Sequence, residues 1–181
     1  MPHPALQTDR LVLRPYVLSD VADLVRLAGA REVAATTLRI PHPYREEDAI
    51  SFINTFAVEA EMGTSARFAI TLRQDGQLCG GVGLRIDKDH NHAELGYWIG
   101  VPYWGRGYAT EAARVLVEYG FGALKLRRIY ASCVTKNTAS SRVLQKIGMQ
   151  YEGCQRQHIC KWGAFHDLDL YGMVNTGESQ R

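Results

Sequence analysis

The sequence lacks the features of a membrane-spanning, secreted or nucleic-acid-binding protein. No apolar run approaches the length of a transmembrane helix, and the start of the chain, Met1-Pro2-His3-Pro4, has no apolar signal segment. Lys and Arg number 21 against 19 Asp and Glu, a net charge of +2, and no run of like charge exceeds three residues. We therefore expect a cytoplasmic protein that binds neither nucleic acid nor a membrane.

Metal-ligating side chains are also sparse. The chain has four cysteines, and no two of them form a Cys-x-x-Cys pair, which favours reduced thiols over a disulfide framework or a zinc site. His90 and His92 flank Asn91, but no third ligand lies near them in the sequence. The sequence therefore predicts no metal site.

The composition suits one compact domain. The 181 residues are 46% hydrophobic and 22% charged, which allows a sizeable core, and they contain no internal repeat or linker. We expect a single domain over residues 1–181, with an ordered core of about residues 8–175, that acts as a monomer or a homodimer.

The most informative stretch, residues 93–121, has the pattern of a strand, a turn and an amphipathic helix. The strand covers residues 93 to about 101, the turn follows over 102–108, and the helix begins near residue 109. The glycines of Gly105-Arg106-Gly107 permit positive φ and close approach of a ligand, and the arginine adds a cation. Because unpaired N–H groups at a helix start favour anions, this stretch predicts a phosphate-binding turn.

Two other phosphate-binding motifs fit this stretch less well. The P-loop pattern GxxxxGK[ST] does not occur in the chain. The dinucleotide pattern GxGxxG needs three glycines inside a parallel βαβ unit, whereas only its first two glycines are present here. The strand before the turn also follows a predicted hairpin, so a nicotinamide-nucleotide domain conflicts with the predicted order of elements.

Hydrophobic patterns and turn residues predict a mixed α/β sheet with the order strand, two helices, three strands, helix, strand, helix, two strands. The three strands directly before the glycine turn, at 66–72, 78–86 and 93 to about 101, should form an antiparallel meander. The strand at 128–134 should run parallel to the strand that contains Glu94, because a single helix connects them. Residues 31–44 are predicted to be an irregular connection. The other predicted elements are strands at 10–14, 66–72, 78–86, 149–159 and 165–174 and helices at 21–28, 46–62 and 137–148.

Several separate motifs in this order resemble the GNAT N-acetyltransferase superfamily, and most closely its RimJ/RimL-like branch of ribosomal-protein N-terminal acetyltransferases. The motifs are Thr8-Asp9-Arg10-Leu11-Val12-Leu13-Arg14-Pro15, Glu94-Leu95-Gly96-Tyr97-Trp98-Ile99, the turn Tyr103 to Ala112, and Asn137 to Met149. The coenzyme turn of that family, Q/R-x-x-G-x-G/A, is matched at Gly107 and Ala109, but Trp104 replaces the usual Gln or Arg. This resemblance implies a mostly antiparallel seven-stranded sheet flanked by about four helices, with a splayed parallel pair at its centre.

The resemblance also implies acetyl-CoA as co-substrate and a set of residues that would contact it. Main-chain groups at the end of the fourth family strand would pair with the pantetheine arm, the turn would bind the phosphates, and an Asn would meet the arm from the next helix. The implied coenzyme contacts are Trp98, Ile99, Gly100, Val101, Trp104, Gly105, Arg106, Gly107, Tyr108, Ala109, Thr110, Asn137 and Ser140.

Two residues are candidates for catalysis. Glu94 lies in an apolar strand, where partial burial would raise its pKa, so it could act as a base directly or through a water; the alternative is a structural acceptor. Many family members have a tyrosine acid where this chain has Leu144, and in the RimL-like pattern a serine at the position of Ser140 is thought to protonate the thiolate instead. The alternative is that Asn137 and Ser140 only start the helix.

The function that these features predict is transfer of an acetyl group from acetyl-CoA to a primary amine, either a protein N-terminus or a small amine. A non-catalytic module that senses acyl-CoA is the alternative. The acceptor should be decided by residues 31–44 and 155–165, and their sequences contain no recognisable motif.

Overall fold

The computed structural model describes residues 3–177. Met1 and Pro2, the first residues of the start that was expected to lack a signal segment, lie outside the described residues. Over this range the chain forms one eight-stranded sheet and five α-helices. The strands are β1 (Leu6–Gln7), β2 (Leu11–Arg14), β3 (Ser65–Leu72), β4 (Leu78–Asp87), β5 (His92–Ile99), β6 (Arg128–Val134), β7 (Gln150–Lys161) and β8 (Ala164–Val174). The helices are α1 (Val21–Ala28), α2 (Arg31–Thr36), α3 (Glu46–Met62), α4 (Tyr108–Gly122) and α5 (Thr138–Lys146).

The sheet has the order β1-β2-β3-β4-β5-β6-β8-β7 and is antiparallel except for the pair β5 and β6. That parallel pair confirms the predicted crossover through one helix. The two strands are in register only at His92–Arg128, Ala93–Ile129 and Glu94–Tyr130. After these three pairs they separate, so the sheet is split at its centre as the resemblance implied.

Helices cover both faces of the sheet. Leu116 and Val117 of α4 are buried in the larger core cluster with Leu95 of β5 and Ile129 of β6. On the opposite face, α1 and α3 pack around Trp98 in a second cluster. Because β5 alternates between these two clusters, successive residues of this strand face opposite layers.

The bounds of α3 match the prediction. The helix ends at Met62 because Gly63 takes the left-handed conformation, with φ of 68°, and its N–H donates to the carbonyls of Glu59 and Ala60. At the other end the Asp48 carboxylate accepts the Arg45 backbone N–H at 2.8 Å.

Two elements were not predicted. The two-residue strand β1 pairs with β2 and raises the strand count from seven to eight. Residues 31–44 are not wholly irregular, because α2 occupies their first six positions. A helix of this length without a side-chain cap is unstable alone, and it persists here because Val33 is buried in the cluster formed by α1 and α3.

A buried ion pair joins β2 to the start of α1. The Asp20 carboxylate is 6% exposed and accepts from both terminal nitrogens of Arg14, at 2.7 and 2.8 Å, and from the Val17 backbone N–H at 2.9 Å. The hydrogen bond that Arg14 donates to Asp20 raises the pKa of Arg14, against the opposing effect of burial. Asp20 therefore fixes the chain where it leaves the sheet.

Replacing Asp20 with Asn should lower the free energy of unfolding by about 2–3 kcal/mol, because the substitution leaves the Arg14 charge without its bidentate partner. Asp23→Asn is the matched control on α1, since the Asp23 carboxylate pairs with Arg26 at the surface and should contribute less than about 1 kcal/mol. Both are measured by urea unfolding. An equal loss in the free energy of unfolding for the two variants would show that burial of the Arg14–Asp20 pair does not contribute to stability.

Candidate active site

The separation of β5 and β6 leaves backbone groups without strand partners. The Gly100 N–H donates to the carbonyl of Cys79 in β4 at 2.9 Å, so the alternate residues Tyr97 and Ile99 direct their backbone groups towards the split. The Ile99 carbonyl accepts the indole N–H of Trp104 at 2.6 Å. Trp104, which replaces the usual Gln or Arg of the turn, thus ties the turn to the end of β5.

The turn after β5 has the conformation that the sequence predicted. Gly105 and Gly107 have φ of 74° and 80°, and α4 begins directly afterwards at Tyr108 with no side-chain cap. The backbone N–H groups from Gly105 to Thr110, which include those of Arg106 and Ala109, have no hydrogen-bond acceptor among residues 3–177. Unpaired amides at a helix N-terminus form an anion site.

A cation that sequence reasoning missed supports this turn. Arg10, at the start of β2, donates to the Arg106 carbonyl at 3.0 Å, and its guanidinium lies 4.8 Å from the centroid of the Tyr108 ring. It also pairs with Glu111 at 2.6 Å. Because Glu111 lies in the first turn of α4, its pairing with Arg10 and Thr8 reduces the repulsion that a carboxylate would exert on an anion there.

A cavity of about 220 Å³ runs through the split from one face of the sheet to the other. Tyr97 and Ser140 line it on the face of the sheet that α4 covers, and Glu94 lines it on the opposite face, together with three arginines. The structure therefore brings both predicted catalytic residues to one cavity. Trp98 also lines it, but its side chain packs in the second core cluster beside the Tyr16 hydroxyl, on the face away from α4.

Glu94 lies between two guanidinium groups. Its carboxylate is 12% exposed, and its Oε2 accepts from Arg39 at 2.6 Å and from Arg85 at 2.5 Å. Burial acts to raise the pKa of Glu94, but the two arginines outweigh it and the net shift is downward. The prediction of a raised pKa is therefore wrong, because the sequence pattern indicated the burial of Glu94 but not its partners.

The Ser140 hydroxyl lies 2.8 Å from the hydroxyl of Tyr97, which also donates to the Ser140 carbonyl at 3.1 Å. Burial raises the pKa of Tyr97, against the opposing effect of the hydrogen bond to Ser140, so the phenol is a neutral donor at physiological pH. Sequence reasoning noted that Leu144 replaces the family tyrosine but missed that Tyr97 brings a phenol to the Ser140 hydroxyl in the same cavity.

Asn137 has two contacts inside the protein. Its Oδ1 accepts the Ser140 backbone N–H at 3.1 Å, which confirms the predicted N-cap of α5. Its Nδ2 donates to the Thr36 carbonyl at 3.3 Å. The side chain therefore connects α5 to residues 36–40, a segment that lines the cavity and is called the wall segment below.

The turn between β7 and β8 also contacts the wall segment. The Lys161 ammonium donates to the carbonyls of Ala34 and Thr37 at the end of α2. Arg31 lies over the neighbouring Trp162 ring, 5.5 Å from its centroid. The two loops expected to decide the acceptor are thus in direct contact with each other.

No group of three or more His, Cys, Asp and Glu side chains within residues 3–177 is arranged to hold a metal ion. In the same range, no helix has the length and apolarity needed to cross a bilayer.

Comparison with known proteins places this geometry in a family. Residues 10–150 match the family model for the acetyltransferase (GNAT) domain. The chain is 35% identical over 176 residues to the uncharacterized N-acetyltransferase YoaA of Bacillus subtilis, which covers 97% of this chain and 99% of that protein.

Solved structures share the fold. A GNAT-family acetyltransferase from Bacillus anthracis superposes with a TM-score of 0.83 at 28% identity, over 94% of this chain and 98% of that one. RimL, a ribosomal L7/L12 α-N-protein acetyltransferase solved with coenzyme A, superposes with a TM-score of 0.87 at 19% identity, over 94% and 98% of the two chains. At that identity, the similarity to RimL is one of fold.

Proposed function

Because the chain belongs to the GNAT family of acetyltransferases, which use acetyl-CoA, we propose that it transfers the acetyl group by direct attack of an amine held beside Glu94 in the split sheet. The observation that carries the proposal is the cavity, which connects the hydroxyl groups of Tyr97 and Ser140 on one face to the Glu94 carboxylate on the other. An acyl donor and an amine that entered from opposite faces would meet inside it.

The residues that would hold acetyl-CoA fit its chemistry. The free amides from Gly105 to Thr110 suit a pyrophosphate, with the side chain of Arg106 available as an additional cation. The backbone of Tyr97 and Ile99 faces the split, where an extended pantetheine arm could pair with it as a strand does. We propose Gly100, Val101, Trp104 and Asn137 as further contacts along this path, and Trp98 as a support of the strand that carries it.

Glu94 would hold the amine. Both arginine contacts are made by its Oε2, and its Oε1 has no hydrogen-bond partner among residues 3–177, so this oxygen can accept an amine N–H. The lowered pKa keeps the group ionised, which favours binding of an amine but makes it a weak base. We therefore propose that Glu94 orients the amine and that the proton leaves through a water beside Oε1.

The hydroxyl pair would serve the leaving group. Collapse of the tetrahedral intermediate breaks the C–S bond, and the thiolate takes a proton. Ser140 Oγ can donate that proton when the Tyr97 hydroxyl turns its single hydrogen from the Ser140 carbonyl to Ser140 Oγ, because the two hydroxyl oxygens lie 2.8 Å apart. Ser140 is then the acid, and Tyr97 supports it.

We also propose that the chain is a single domain of the RimJ/RimL-like branch that acts in the cytoplasm, as a monomer or homodimer, on a protein N-terminus or a small amine. The motifs of residues 94–99, 103–112 and 137–149 support the branch. The similarity to YoaA over nearly the whole of both chains supports a single domain.

Isothermal titration should show micromolar binding of acetyl-CoA and no binding of NAD. Gly107→Val should weaken acetyl-CoA binding about 10–100-fold, because the side chain blocks close approach to amides that bind a charged phosphate. Gly76→Val is the control, since Gly76 has φ of 75° in a turn with no atom within 4 Å of an added Cβ. Equal affinity for both variants would contradict the placement of the phosphates at this turn. Binding without acetyl transfer to any amine would support the sensor alternative.

The pH dependence of kcat/KM should follow the ionisation of the amine and show no inflection from Glu94 near neutrality. Since the folded-state pKa of Glu94 is lowered, the carboxylate is ionised throughout that range and protonates only in acid. Glu94→Gln should reduce kcat/KM by about 100-fold without changing the shape of the profile. Glu152→Gln, which removes another arginine-paired carboxylate, is the control. A neutral inflection that disappears in Glu94→Gln would instead restore the role of general base.

Ser140→Ala should reduce kcat by about 10–100-fold under conditions where acetyl transfer limits the rate. The loss should shrink when the donor is an acetyl thioester of an aromatic thiol, whose thiolate leaves without a proton. Tyr97→Phe should show a smaller loss with the same dependence on the donor. Ser141→Ala is the matched control on α5, because its hydroxyl bonds to Tyr171 outside the cavity. Full turnover in Ser140→Ala would exclude it as the acid.

A further inference from the structure

Arg67 on β3 is a largely buried cation that is paired with Glu59 but makes no side-chain hydrogen bond to residues 3–177. Its side chain is 25% exposed, and none of its five N–H donors has a hydrogen-bond acceptor among residues 3–177. Its nearest opposite charge is Glu59, at 3.2 Å, and Glu59 Oε2 is itself buried without a hydrogen bond. Since a guanidinium normally satisfies several donors, Arg67 is available to bind an anion.

The surroundings hold Arg67 in place at the cavity. Its guanidinium lies 4.5 Å from the centroid of the Phe56 ring. The side-chain stem lies over Gly83 of β4, where an added Cβ would come within 2.6 Å of Arg67 Cγ. Burial lowers the pKa of Arg67, and Arg39 and Arg85 act in the same direction against Glu59. A cation held by these contacts needs little reordering to bind a ligand.

The sheet leaves an open path from Arg67 to the amine site. Arg67 is in register with Gly83 of β4, and Gly83 is in register with Gly96 of β5. The Arg67 stem lies over Gly83, and an added Cβ on Gly96 would have nothing within 4 Å, so only Arg67 itself covers these two inter-strand spacings, about 10 Å at the backbone. Glu94 lies two residues before Gly96 and therefore faces the same side of β5.

The charges along this path favour an anion. Arg39, Arg67 and Arg85 line the cavity with a single carboxylate, Glu94, and Glu59 contacts Arg67 from outside it. The three arginines together therefore carry one positive charge more than the two carboxylates, because Arg39 and Arg85 share Glu94. A polyamine or another polycation would be repelled, whereas a ligand with both an amine and an anion would pair its two charges with Glu94 and Arg67.

We propose that the acceptor is an amine that carries a carboxylate or phosphate group, and that Arg67 binds this anion while Glu94 holds the amine. This inference rests on the proposed acetyl transfer. It narrows the acceptor from any primary amine to anionic amines, whether the anion belongs to a small molecule or to an acidic residue next to a peptide N-terminus.

The test uses matched pairs of acceptors with the full chain and acetyl-CoA. The pairs are phosphoethanolamine against ethanolamine, an amino acid against its amide at equal concentration of unprotonated amine, and a peptide that begins Ser-Glu against one that begins Ser-Gln. The anionic member of at least one pair should be acetylated with a kcat/KM about 10–100-fold higher, the effect of a charge-assisted hydrogen bond. The responding pair identifies the source of the anion.

Arg67→Gln should abolish the difference within the responding pair, and Arg67→Lys should retain part of it, because Lys keeps the charge but not the planar fork. Arg128→Gln, which removes an arginine paired with Glu152, should retain the full preference. Thermal unfolding of each variant identifies loss of fold, and the wild-type pairs test the inference independently of any variant.

The inference would be overturned if acetyl-CoA binds but no anionic acceptor is preferred over its neutral partner. Binding of acetyl-CoA without acetylation of any anionic acceptor would overturn it as well. A preference that persists in folded Arg67→Gln would do the same. If acetyl-CoA does not bind at all, the failure belongs to the proposed function instead.

Discussion

The early separation of β5 and β6 is the constraint on which the site depends. Three residue pairs hold the two halves of the sheet together, and beyond them a row of backbone groups faces a gap that no strand fills. Unpaired backbone groups are costly unless water or a ligand satisfies them. The same separation opens a passage between the two faces of the sheet, so that residues of opposite orientation on one strand, Glu94 and Tyr97, line a single cavity. Continuous pairing would close both the backbone edge and the passage.

Electrostatic pairing, more than burial, decides the chemistry of the carboxylates around this passage. Glu94 is largely buried, yet its pKa falls because two guanidinium groups share one of its oxygens. At the phosphate turn, Glu111 would oppose an anion if Arg10 and Thr8 did not bond to it. In both places an arginine offsets the negative charge of a carboxylate, and the paired carboxylate then holds the neighbouring groups in position. Within the described part of the chain, Arg67 has no such hydrogen-bonded partner, and it therefore differs from Arg39 and Arg85 in the same cavity.

Local signals predicted most of the fold and part of the site. The bounds of α3 follow from its terminal glycine, and the positive φ of Gly105 and Gly107 follows from their position between a strand and a helix. The sequence could not reveal α2, whose six residues depend on burial against distant helices. Nor could it reveal the partners of Glu94 and Ser140, because Arg39 and Tyr97 lie 55 and 43 positions away and only the folded sheet brings them into contact.

The wall segment closes the open end of the split. It continues from α2, which is buried in the core of one half of the sheet, and it is bonded by Lys161 and Asn137, which belong to the other half. The cavity is thus bounded by the three strand pairs on one side and by these side-chain bonds on another. The width of the passage therefore depends on the length of the connection from α2 through the wall segment to Lys161 and Asn137, as well as on the residues that line the passage. Insertions or substitutions in residues 31–37, or in the turn after Lys161, can therefore retune which acceptor fits while every group that contacts the acceptor stays the same. The choice of acceptor would then depend on the length of a segment that does not itself contact the acceptor.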